Sequence, residues 1–258
     1  MEAKRKIGIG ICGFADMLIA LNLSYTQPQA RDMLQDILNF ISYHSKVASH
    51  ELAQERGSFG AFLGSRYTDE SFILNKYGGL NTPHVSPTQW SKLATTIKET
   101  MHLRNATTTA LPPTGRSAQV IEASTGIEPL FTLNAHTIQP AMLEFLRKHT
   151  CDDAATLAEI KQTGRFPKSI TVEHPFITAT EITPADHLAM TAAAATAIDE
   201  SISKTVNMPE HATVEDIASI YKDAFAAGLK GVTIYRDNSR TAQPQKLSKD
   251  ISTPEQQK

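Results

Sequence analysis

The sequence predicts an α/β protein with parallel strands. Helical periodicity alternates with short β-branched runs along most of the chain. The strand-like runs 106–111, 204–208 and 231–235 are separated by long helical stretches. The 258 residues suffice for a sizeable core, and no internal repeat breaks the chain into small units.

The elements follow in order. Residues 7–23 alternate glycine with apolar residues and then turn helical through Phe14, Leu18 and Leu21. Pro28 opens a long helix over 29–56, with Leu34, Ile37, Leu38, Ile41 and Val47 on one face and Gly57 as its stop. Residues 59–85 are rich in glycine and aromatics and read as loop. Ser86 and Pro87 start a helix through Trp90, Leu93 and Ile97. Two helices are expected over 140–148 and 153–163, and an alanine-rich one from Thr183-Pro184 to about 202. Thr213 and Asp216 form a capping box for a helix to Ala227, ended by Gly228. From Thr241 onward Gln, Pro, Lys, Ser and Asp dominate, the composition of a disordered tail. Residues 1–240 therefore form one domain and 241–258 a polar tail.

A formal net charge of −2 argues against a direct nucleic-acid or membrane-surface role. No apolar run is long enough to span a bilayer. The two cysteines, Cys12 and Cys151, stand in unrelated contexts, which fits a reducing cytoplasm and excludes a disulfide framework. Cys12 lies in an apolar run and reads as a packed thiol, while Asp152 and Asp153 disfavour a thiolate at Cys151. The nine histidines show no metal-binding spacing, and His174 and His187 read as surface or satisfied core groups.

Gly8, Gly10 and Gly13 match G-x-G-x-x-G, with Asp32 downstream. A dinucleotide fold needs an apolar strand before the first glycine, whereas Lys4-Arg5-Lys6 stands there. Asp32 also falls within a helix. The glycines read instead as permitting close helix packing.

Residues 111–131, LPPTGRSAQVIEASTGIEPLF, carry the strongest functional signal. Pro112 and Pro113 impose an extended lead-in. Thr114 and Ser117 offer caps for a helix start, Gly115 admits close approach, and Arg116 adds charge. Following a strand, this pattern suits a phosphate at a helix N-terminus, the alternative being an ordinary cap. Glu128, before Pro129, is either a buried carboxylate near that pocket or a backbone acceptor.

The run RNATTTALPPTG from Arg104, followed by STGIEPLF from Ser124, resembles the catalytic large subunit of ribonucleotide reductases, most closely the adenosylcobalamin-dependent class II branch. IGIGICGFADML from Ile7 is similar to that family's glycine-rich segment. SKTVNMP from Ser203 and GLKGVTIYRD from Gly228 are similar to its last barrel strands. The resemblance implies the C-terminal half of a ten-stranded α/β barrel, incomplete on its own. It implies a substrate-phosphate site at Pro113, Thr114, Gly115, Arg116 and Ser117, supported by Asn105, Glu128 and Tyr235. Arg116 replaces the family's commoner small hydroxyl residue. The lone Tyr235 lacks the tyrosine pair of the diiron branch, which favours adenosylcobalamin as cofactor.

No Asn-x-Cys-x-Glu finger-loop sequence occurs in the 258 residues, so no catalytic residue and no metal ligand is expected on this chain. The thiyl cysteine is expected on an N-terminal reductase chain that closes the barrel. The other partners implied are a ribonucleoside di- or triphosphate and a thiol reductant. A non-catalytic nucleotide-binding relative is the alternative.

Overall fold

The computed structural model describes residues 2–134 and 139–239. The predicted tail falls outside them. Its central feature is a row of four extended segments, all parallel. Segment 4–9 lies against 106–111, where Ile9 pairs with Thr109 and the Ala106 N–H donates to the Lys4 carbonyl at 2.9 Å. On its other side 106–111 meets 200–203, with Leu111 paired to Ile202 and the Ser203 N–H donating to the Leu111 carbonyl at 2.8 Å. That segment continues into β1 (Thr205–Met208), which pairs in register with β2 (Thr233–Arg236). Only β1 and β2 form a continuous ladder. The predicted strand over 106–111 holds its neighbours through isolated bridges instead.

Nine helices surround this row among the described residues: α1 (Phe14–Ala20), α2 (Pro28–Arg56), α3 (Glu70–Tyr77), α4 (Pro87–Thr100), α5 (Gly115–Val120), α6 (Gln139–Lys148), α7 (Ala154–Thr163), α8 (Pro184–Ala195) and α9 (Val214–Ala226). The helix-start signals at Ser86 and at Thr213 form. Ser86 and Gln89 cap α4 reciprocally, and Thr213 and Asp216 do the same for α9.

Four expectations need correction. Residues 59–85 are only partly loop: two 3-10 turns precede α3, where Asp69 accepts from the Ser71 N–H at 2.9 Å. Phe62, Tyr67, Ile73 and Tyr77 bury their side chains there, so the aromatics are core rather than loop decoration. The alanine-rich α8 stops at Ala195, because Asp199 draws the following chain into the row by accepting from the Thr108 N–H at 2.8 Å. The buried face of α2 is rotated from the predicted one. It runs through Leu34, Leu38, Asn39, Ser42, Lys46, Ser49 and His50, and leaves Ile37, Ile41 and Val47 half-buried. Finally, Gly8 and Gly10 serve strand packing, not helix packing. A Cβ at Gly10 would stand 2.5 Å from the Ala110 carbonyl oxygen, and one at Gly8 2.9 Å from the Ala110 Cβ.

Three apolar clusters hold the helices to the row. The largest joins α1, α2, α4 and α8 around Leu18, Leu34, Leu38, Trp90, Ile97 and Met190. A second packs α6 and α7 through Leu146, Ile160, Phe166 and Phe176. The third seats Val206 and Met208 of β1 on Leu188, Ile220 and Ala224. Strand alternation then turns Thr205 and Asn207 to the opposite face, where the site lies.

Candidate functional site

A cleft of about 510 Å³ opens on that face. One wall is the inner side of the β1–β2 ladder, with Thr205, Asn207, Thr233 and Tyr235. The other is the turn from Ala123 to Thr132, including Ser124, Thr125 and Glu128. The volume lies within the range typical of small-molecule sites.

The loop predicted to bind phosphate leaves the carboxyl end of segment 106–111 and joins the cleft wall by one hydrogen bond. The Gly126 N–H donates to Thr114 Oγ1 at 2.8 Å. This corrects the predicted caps. Thr114 stands at the start of α5 with φ of 52°, and no side chain caps that helix. A capping residue needs an extended backbone to aim its oxygen at the helix N–H groups, whereas the left-handed Thr114 aims its own at Gly126. Pro113, Gly115, Arg116 and Ser117 are exposed, and they do not line the cleft themselves. Asn105 lies elsewhere. Its amide donates to the Arg5 carbonyl at 2.7 Å and accepts from Ser49 Oγ at 3.0 Å, which clamps segment 4–9 to α2.

Glu128 and Tyr235 do line the cleft. Tyr235 Oη and Ser124 Oγ are buried there without a hydrogen-bond partner among the described residues, as is Asp16 Oδ1 behind the turn. Asp16 Oδ2 accepts from the Ser124 N–H at 2.6 Å and so fixes the turn's start.

The sequence reading missed a buried cation behind Glu128. Lys204 is 3% exposed, and its ammonium donates to Glu128 Oε2 at 3.2 Å, to His187 Nδ1 at 2.8 Å and to the Thr205 carbonyl at 2.9 Å. It also lies 5.7 Å from the centre of the Tyr25 ring. The Thr205 N–H donates to Glu128 Oε1 at 2.6 Å. Burial pushes the Lys204 pKa down, and the Glu128 charge pulls it back up. His187 Nε2 faces the Ala179 carbonyl at 3.0 Å, which makes Nε2 the protonated nitrogen and leaves Nδ1 as acceptor. Burial, then the Lys204 charge, lowers the His187 pKa to about 3. The available signal was weak: a lysine entering a β-branched strand and a histidine on the apolar face of an alanine-rich helix.

That histidine makes stability pH-dependent. Its folded-state pKa lies below its ordinary value of 6.5. Its contribution is therefore complete above pH 6.5 and falls away as pH drops toward about 3, at roughly 1.4 kcal/mol per unit of pKa difference. Urea midpoints are expected to decline between pH 6.5 and 4.5, and His187→Gln to flatten that decline. An unchanged slope in the variant would refute the assignment.

No cluster of His, Cys, Asp or Glu able to hold a metal ion occurs among the described residues. Cys12 and Cys151 are free and half-buried. None of the described helices is long and apolar enough to cross a membrane.

A family model described as the ribonucleotide reductase barrel domain matches residues 1–235. The chain belongs to that family. It is 33% identical over 252 residues to a vitamin B12-dependent ribonucleoside-diphosphate reductase of Thermoplasma acidophilum, covering 93% of this chain and 29% of that protein. The Mycobacterium tuberculosis protein of the same name is 33% identical over 258 residues, with 94% and 32% covered. The structure superposes on the alpha subunit of the Actinobacillus ureae class Id ribonucleotide reductase with a TM-score of 0.71 at 19% identity, covering 92% of this chain and 40% of that one. The chain thus spans about a third of the length of these curated relatives.

Proposed function

We propose that this chain is the C-terminal barrel half of a ribonucleotide reductase, which replaces the 2′-hydroxyl of a ribonucleotide with hydrogen by radical chemistry. The observation that carries this is positional. The family match runs through the whole row of parallel segments, and the loop at Pro113, Thr114, Gly115, Arg116 and Ser117 is tied to the cleft through Thr114 and Gly126. Exposed N–H groups, the Ser117 hydroxyl and the Arg116 guanidinium there offer donors to substrate phosphates. The relatives named for ribonucleoside diphosphates favour a diphosphate over a triphosphate.

The thiyl cysteine belongs to an N-terminal reductase sequence with an Asn-x-Cys-x-Glu finger loop, on a separate chain in this reading, and a thiol reductant regenerates it. Adenosylcobalamin, taken from the relatives' dependence on vitamin B12, would supply the radical when bound. The cleft does not fit that cofactor: its 510 Å³ suits a nucleotide-sized ligand, not a corrin with its side chains. Holding the cofactor falls to the chain that completes the barrel.

Co-expression with a polypeptide carrying the finger loop, followed by an assay for deoxyribonucleotide with adenosylcobalamin, tests the reading. Product is expected only from the complex. Ser117→Ala is expected to weaken ribonucleoside diphosphate binding by about 1.5–3 kcal/mol, the worth of a hydrogen bond to a charged group. Nucleotide binding without product would point to a non-catalytic binding relative, and an unchanged dissociation constant would remove Ser117 from the phosphate site.

A further inference from the structure

Glu128 is held from behind and open in front. The Thr205 N–H occupies one lone pair of Oε1 and the Lys204 ammonium one of Oε2. Each carboxylate oxygen keeps a second lone pair. A quarter of the Glu128 side chain remains exposed, and it stands in the cleft wall. Lys204 cannot reach a ligand itself, since its side chain is wholly buried and its three protons meet Glu128, His187 and the Thr205 carbonyl. A buried ammonium is costly unless its charge is matched, and here the matching charge sits at the border of the cleft.

We infer that Glu128 is a substrate-binding residue that accepts hydrogen bonds from the sugar hydroxyls of the nucleotide, and that Lys204 is the positioning residue that fixes its carboxylate. The inference rests on the phosphate-loop reading above. Glu128 lies two residues beyond Gly126, where the loop is fastened, a span of up to about 7 Å along the chain. A sugar joined to phosphates held by the loop comes within reach of it. A carboxylate repels the phosphates and accepts from neutral hydroxyls. The unpartnered Ser124 Oγ and Tyr235 Oη on the same cleft offer further groups to a polyhydroxylated ligand.

Calorimetry on the full 258-residue chain tests this with three probes: inorganic pyrophosphate, a ribonucleoside diphosphate and its 2′,3′-dideoxy counterpart. The wild type is expected to bind the ribonucleotide about tenfold more tightly than the dideoxy compound. Glu128→Gln and Lys204→Met are expected to bring that ratio close to one and leave the pyrophosphate constant unchanged. A merely structural role would instead weaken all three ligands together. Equal wild-type affinity for the two nucleotides overturns the inference without any variant having to fold, and so does an undiminished ratio in Glu128→Gln. Failure of the wild type to bind pyrophosphate or either nucleotide overturns the phosphate loop itself, and the inference with it.

Discussion

Asp199→Asn is expected to cost about 3–5 kcal/mol of folding stability, because it strands a buried cation. Lys46 and Asp199 are joined at 2.6 Å with side chains 1% and 5% exposed. The same carboxylate accepts from the Tyr77 hydroxyl at 2.5 Å and from the N–H groups of Thr108 and Thr109 at 2.8 and 3.3 Å. One residue thereby ties α2, α3, segment 106–111 and the start of segment 200–203 together. Burial pushes the Asp199 pKa up, but the Lys46 charge and these donors outweigh it and hold the group below its ordinary value. Its contribution is therefore present above pH 3.8 and lost below. Denaturant unfolding reads the loss, and a change under about 1 kcal/mol would contradict the account. Lys46→Met combined with Asp199→Leu is expected to recover only part of it, since the apolar pair removes the stranded charge but leaves the Tyr77 hydroxyl and the Thr108 and Thr109 N–H groups without their acceptor.

Trp90→Ala is expected to cost a similar ~3–5 kcal/mol by opening a cavity in the largest apolar cluster. Trp90 is fully buried. It stacks on Tyr77 at 4.1 Å with an interplanar angle of 9°, and meets Tyr43 edge-on at 5.2 Å. Its indole N–H donates to Asn39 Oδ1 at 2.8 Å, so truncation also deprives that buried amide oxygen of its donor. Trp90→Phe keeps a ring against Tyr77 but loses the hydrogen bond and leaves a smaller cavity, and is expected to recover more than half of the loss in thermal unfolding. Equal losses from Ala and Phe would show that the amide contact, not the ring, dominates.

Much of the fold was legible where one local rule acts alone. Ser86-Pro87 and Thr213 with Asp216 start helices whatever lies nearby, and they do so here. The β-branched runs at β1 and β2 became strands for the same reason. Failures arose where a distant partner outranked local pattern. The apolar stripe of α2 suggested Ile37, Ile41 and Val47, yet the helix buries Ser42, Lys46 and Ser49 because each finds a distant partner: Ser42 the Ala197 carbonyl and Thr109, Lys46 Asp199 and Thr108, and Ser49 Asn105. At the site, residues 111–131 announced themselves through a dense pattern of proline, glycine and hydroxyl residues. The Lys204–His187 support did not, because its members lie in separate elements and each is ordinary in its own segment. Asn105 was expected near the pocket from the family resemblance, but its bonds run to Arg5 and Ser49.

The row of parallel segments also sets how the chain reaches this arrangement. Ile9 meets Thr109 and Leu111 meets Ile202, partners some ninety to a hundred residues apart, whereas Thr205 meets Thr233 across fewer than thirty. Closing the longer loops costs about 1 kcal/mol more in chain entropy than closing the shorter one. Loop entropy therefore favours early pairing at the C-terminal end, and segment 4–9 is among the later arrivals. Its arrival waits on α2 and α4, whose cluster lies between it and segment 106–111 in sequence. Such long-range pairing predicts slow folding, with strand edges open to other strands in the meantime.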